Sequence, residues 1–252
     1  GIGNSLFDVI WNGSQFVAVG AGGVIRTSPD GTTWTDQTSG TTNWLYSVVW
    51  TGSQFVAPTH AGNILTSPDG VTWTTQASGI PNSLIGIAWS GSLFVAVGHA
   101  GNIVTSPDGT TWTTRTSRTA ADMYAVVWSG SQFVATGNSG AITISPDGIT
   151  WTLQTSGTTN NLEGITWTGS QYVVVGWLGT ILTSPDATTW TSRTSGTTNT
   201  LNGVTWSGSR FVVVGNSGQI YTSPDGATWT DQSTGIGNSL FDVIWNGSQF
   251  VA

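Results

Sequence analysis

Short apolar runs alternate with polar, turn-forming residues along the whole chain, and the spacing within the runs is that of strands. LFDVIW at 6–11 runs into the turn NGS, QFVAVG at 15–20 follows, a Gly-rich hairpin leads to VIRTS at 24–28, and SPDG leads to TTWTDQT at 32–38. Segments with helical apolar spacing are missing, so the pattern predicts an all-β chain of short strands and tight turns. Gly13 has equivalents at Gly52, Gly91, Gly130, Gly169, Gly208 and Gly247, as a hairpin turn with positive φ requires. The run at 15–20 is apolar on both faces, which places it inside a packed sheet.

The pattern repeats with a period of 39 residues: SPD recurs with its serine at Ser28, Ser67, Ser106, Ser145, Ser184 and Ser223. A tryptophan follows each box (Trp34, Trp73, Trp112, Trp151, Trp190, Trp229). A second series, Trp11, Trp50, Trp89, Trp128, Trp167, Trp206 and Trp245, has seven members. A period of this length dictates the fold. Four antiparallel strands per unit, apolar on both sides, predict the blades of a β-propeller: one domain with six complete blades at 1–39, 40–78, 79–117, 118–156, 157–195 and 196–234, followed by a half-blade at 235–252. A β-solenoid is the competing architecture, but its coils are usually shorter and lack two tight hairpins per repeat.

The box S-P-D-G-x-x-W resembles a compact form of the Asp-box of BNR repeats, found in sialidases and many non-catalytic propellers. The longer stretches GNSGQIYTSPDGATWT and QTSGTTNNLEGITW resemble the repeats of Ycf48-like photosystem II assembly factors and related bacterial propellers. The resemblance spans essentially the whole chain. It implies a propeller in which Asp30, Asp69, Asp108, Asp147, Asp186 and Asp225 are structural, each accepting backbone N–H groups in the turn between third and fourth strands. Calcium is not expected there, because each box offers one carboxylate and a calcium site takes six or more oxygens. Ala187 stands where the other boxes carry Gly, so its turn is expected to be weaker by roughly 1 kcal/mol.

Charge narrows the function. The chain has no lysine, five arginines, eleven aspartates and one glutamate, for a formal net charge of −7. Nucleic acid is excluded as a partner, since no clustered basic surface is available. The Ycf48 resemblance would lead one to expect a basic patch, which five arginines do not supply. Without cysteine there is no disulfide framework, and no cofactor is expected. No apolar run approaches the roughly 18 residues of a membrane span, and the N-terminus lacks the regions of a signal peptide. The expectation is a soluble protein with no membrane insertion, favoured to be extracellular or periplasmic.

Catalysis is not expected. A sialidase holds its substrate with an arginine triad and a Tyr/Glu pair, whereas Arg26, Arg115, Arg118, Arg193 and Arg210 fall at repeat positions that do not converge. Tyr46, Tyr124, Tyr172 and Tyr221 read as scattered core positions. Asp8, Asp242 and Glu163 are the only candidates for paired carboxylates, and they read as polar residues lining the central channel.

Recognition is expected on one face. The first-to-second turns and the SPDG boxes scarcely vary, and they share what we term the turn face. The second-to-third hairpins and the linkers between blades share the opposite, hairpin face, where the tips read GAGG, THAG, GHAG, GNSG, GWLG and GNSG. The two tryptophans outside both periodic series, Trp44 and Trp177, fall there. With His60, His99, Asn138 and Asn216 they form the candidate ligand-binding set, for an unidentified protein or, through ring stacking and amide hydrogen bonds, a neutral glycan. Two histidines at one repeat position are too few for a metal centre, so none is expected.

Residues 235–252 repeat residues 1–18 without a change, whereas 40–57 differ from them at several positions. Deliberate design or very recent duplication explains such identity. The piece holds the first two strands of a blade, so beside a six-bladed core it is expected to mediate strand exchange between protomers, and hence a homo-oligomer, with a seventh position in the ring as the alternative. The function expected from the sequence is a non-catalytic interaction or scaffold module, with a glycan-binding lectin and then a sialidase-like glycosidase as the alternatives.

Overall fold

A computed structural model describes residues 4–252; the first three residues of the first repeat lie outside the described residues. In the first repeat the strands are β1 (Leu6–Trp11), β2 (Phe16–Gly20), β3 (Ile25–Ser28) and β4 (Thr35–Gln37), each within two or three residues of the stretch its pattern predicts. They form one antiparallel sheet in chain order. Five further four-stranded sheets repeat the arrangement, giving six blades of a β-propeller. A two-stranded sheet, Ile244–Trp245 with Phe250–Val251, follows them.

The core lies between neighbouring blades. Val17, Val19 and Ile25 of the first blade pack against Leu45, Val48, Phe55 and Leu65 of the second. Inside every blade an aromatic ring of the second strand is held between the two periodic tryptophans: Phe16 lies 4.5 Å from Trp11 and 6.2 Å from Trp34. In the fifth blade Tyr172 takes that place between Trp167 and Trp190. Phe16, Phe55, Phe94, Phe133, Tyr172 and Phe211 are all buried, while of the box tryptophans only Trp151 is fully so.

Each box turn closes through the same aspartate and indole bonds, and all but the fourth add the serine bond. Thr32 and Thr33 donate their backbone N–H groups to Asp30 Oδ1, both at 2.8 Å, Ser28 Oγ accepts from Gly31 N at 2.8 Å, and the Trp34 indole donates to the Gly31 carbonyl at 3.0 Å. The pair of backbone N–H groups holds the carboxyls of all six box aspartates below the usual carboxylate range. Ala187 keeps this turn with φ 63°, in the left-handed region that glycine tolerates.

Blades are latched across the turn face. Gln15 Nε2 donates to the Asp69 carbonyl at 2.7 Å, and Gln54, Gln132 and Gln171 repeat the bond to Asp108, Asp186 and Asp225. Gln249 donates in the same manner to Asp30, at 3.1 Å. Val243 packs with Val212 and Val214 of the sixth blade, and Ile244 and Val251 pack with Val9, Phe16 and Ala18 of the first.

Candidate functional site at the channel mouth

The register of β1 against β2 pairs Leu6 with Gly20 and then Asp8 with Val19, so Phe7 is an extra residue in the ladder. Ile85, Tyr124, Glu163 and Asn202 are skipped at the same place in their own blades. A bulge bends the strand and re-aims one side chain. Here it turns a variable residue of these five innermost strands toward the central axis at the hairpin face. Phe7, Ile85, Tyr124, Glu163 and Asn202, with Tyr46 and Phe241 at the equivalent repeat positions, rim a channel whose cavity is about 200 Å³.

Fourteen residues further on, the hairpin tip of each blade supplies a second, outer ring. Tyr46 Oη lies 3.3 Å from His60 Nδ1, and Asn202 Nδ2 donates to Asn216 Oδ1 at 3.0 Å. The Trp177 side chain reaches Glu163. Glycine is required beside these tips: a Cβ on Gly101, Gly140 or Gly179 would collide with the carbonyl of the following linker.

Next to the bulge, deeper in the channel, Asp8 and Asp242 hydrogen-bond to each other. Desolvation among the surrounding blades is the main force raising the carboxyls of both, and for Asp8 the facing Asp242 charge adds to it. Asp8 Oδ2 also accepts the Val48 N–H at 2.7 Å. Glu163 is likewise raised by burial, partly offset by the Trp177 side chain. These three carboxyls line one cavity, so the sequence reading of them as channel residues agrees with their position.

The candidate ligand residues divide. Trp44 and His60 come together, with ring centroids 6.3 Å apart, and Phe7, Tyr46 and Phe241 join them. His60, exposed at its hairpin tip, is also held by Ser83 Oγ at 2.9 Å from its Nδ1. Trp177 stands apart from this cluster beside Glu163. Ser139 Oγ donates to the Asn138 side chain, and Asn216 is engaged by Asn202. At His99 it is the backbone that is engaged, its carbonyl accepting from Asn102 Nδ2 at 2.8 Å. Sequence reasoning missed Phe7, Tyr46 and Phe241: Tyr46 and Tyr124 read as core, and both lie on the rim instead, Tyr124 at its bulge. Tyr172 and Tyr221 are core, as read. The available signal was the irregular variation of the rim position, F, Y, I, Y, E, N and F, between a nearly constant Leu and the constant Trp of the same strand.

The six repeated sheets around a lined channel define the class: a β-propeller. No family model matches the chain, and no curated protein matches it either. Among solved structures it is similar in fold to YCF48 from Cyanidioschyzon merolae, with a TM-score of 0.78 at 15% identity over 98% of this chain and 91% of that one. It is similar also to YCF48 bound to D1 peptide (TM-score 0.79, 17% identity, 96% of this chain and 86% of that one). A chain of a mitotic checkpoint complex gives a TM-score of 0.76 at 14% identity, over 95% of this chain and 82% of that one. Among the described residues no helix is long and apolar enough to cross a membrane.

Proposed function

We propose that this propeller is a non-catalytic interaction module whose hairpin face, centred on the channel mouth, receives a segment of a protein partner. The carrying observation is the aromatic cluster there, with Trp44 47% and Phe241 38% exposed, on a scaffold whose other aromatic pairs are internal repeats. The similarity in fold to a YCF48 solved with a D1 peptide supports a peptide-binding use of such a scaffold. The test is a displayed-peptide library selected on the full chain and on Trp44→Ala. Enrichment that depends on Trp44 supports the reading, and enrichment indifferent to it contradicts it. Binding on a glycan array that Trp44→Ala or Trp177→Ala abolishes would select the lectin alternative.

In the same reading the segment 235–252 takes a seventh place in the ring. Support comes from Gln249, which meets Asp30 as Gln15 meets Asp69, and from Val251, which lies against Gly31 as Val17 lies against Gly70. Light scattering of the full chain beside residues 1–234 tests this. A monomer that loses thermal stability on truncation fits the ring, and oligomers formed only with the last eighteen residues fit strand exchange.

A further inference from the structure

We propose that the channel mouth is a receptor for a cationic side chain, arginine or lysine, presented by that protein segment; the inference rests on the interaction-module reading and specifies its partner. Phe7 sits at the centre of the aromatic cluster, with Tyr46 stacked on it at 5.4 Å, Phe241 edge-on at 5.5 Å and Trp44 at 5.5 Å. Such a cluster alone would accept a sugar, an apolar side chain or a cation. What lies below it decides. Asp8 and Asp242 line the cavity beneath the rim and Glu163 stands on the rim itself, and no basic residue is among the lining.

The chain does not neutralise these acids itself. Arg26 is paired with Asp36 on the outer strands, Arg115 and Arg193 bond Thr105 and Thr183, Arg210 lies on the turn face, and Arg118 is exposed in a linker. An anion entering the mouth meets acids and no basic group, and a neutral ring offers the acids no counter-charge. A guanidinium or ammonium satisfies both layers, its charge over the aromatic faces and its donors toward the carboxyls.

Binding is therefore linked to protons. The titratable groups around the mouth are Asp8, Asp242, Glu163, Tyr46, Tyr124, Asp122 and His60. An arriving cation draws the three raised carboxyls toward their charged form, so protons leave on binding and affinity rises with pH.

The experiment is a titration of the full chain with a serine–glycine peptide carrying one central arginine, read by tryptophan fluorescence at pH 5.5 and 8. The same peptide with citrulline, aspartate or leucine in place of arginine completes the set. The arginine peptide should bind more tightly than the other three and more tightly at pH 8 than at pH 5.5. Trp44→Ala should weaken it about 3- to 10-fold, the range a cation–π contact supplies. Glu163→Gln should weaken it and flatten the pH response, while Asp231→Asn, an equal charge change on an exposed outer strand, should do neither. Equal binding of citrulline and arginine peptides, or equal effects of Glu163→Gln and Asp231→Asn, would overturn the cation receptor. Trp44-dependent binding of the leucine or aspartate peptide alone would overturn it while leaving the interaction module standing. If no peptide of the set binds and the library selection yields none, both readings fall.

Discussion

The two rims of this propeller are made by the same repeating unit and use the same residue type in opposite ways. On the turn face six aspartates each accept two backbone N–H groups, and these hold their carboxyls low. At the channel mouth Asp8 and Asp242 face each other among packed blades, and burial pushes their carboxyls up. The turn-face aspartates serve their own loop, so the sequence can repeat them with a single geometry. The residues at the mouth serve no turn, and the repeat leaves them free to vary: Asp8 gives way to Ser47, Gly86, Ala125, Gly164 and Gly203 in the other blades.

The aromatic residues divide along the same line, and the largest expected effect tests it. Trp151 is fully buried between its ring partner and the neighbouring blade, so Trp151→Ala should cost about 3–5 kcal/mol, read by calorimetry or chemical denaturation. Trp112 occupies the same repeat position but is only partly buried, and Trp112→Ala should cost less. Equal losses would mean that the blades are packed more uniformly than described.

The two kinds of aspartate should give stability two separate pH limbs. Carboxyls lowered by folding stabilise above the ordinary aspartate pKa of about 3.9, and that contribution disappears as pH falls toward their folded values. The raised pair works the other way: its contribution is present below about pH 4 and is lost as pH climbs through the folded values. Asp8→Asn can still accept from Val48 and donate to Asp242. It should therefore raise the melting temperature at pH 7–8 by a few degrees and flatten the upper limb, with the acid limb unchanged. A fall in melting temperature at pH 8 would contradict the reading that burial makes the charged pair costly.

Smaller effects sharpen the comparison. Ala187→Gly relieves a left-handed φ and should stabilise by up to about 1 kcal/mol, measured by urea denaturation. Trp177 is 49% exposed, and Trp177→Ala should change stability by less than about 0.5 kcal/mol.

Much of the architecture was legible because each cue is local. The strand stretches, the positive-φ glycines and the buried second-strand series follow from alternation and turn chemistry within one repeat. The rim was less legible because it depends on register. Nothing in LFDVIW marks Phe7 as the residue the ladder skips, and read as a plain strand Phe7 alternates like core. Trp44 and His60 were found as departures from the repeat. Phe241 was hidden, because it lies more than two hundred residues from Phe7, the ring it meets.

The claim that recognition belongs to the hairpin face and structure to the turn face is tested most directly by the indole N–H resonances in a nitrogen-15 spectrum, assigned by single substitutions, as the arginine peptide is added. The Trp44 signal should move with peptide concentration. The six box indoles, each donating to a turn carbonyl as Trp34 does to Gly31, should stay in place. Movement of the box indoles with Trp44 unmoved would contradict the account.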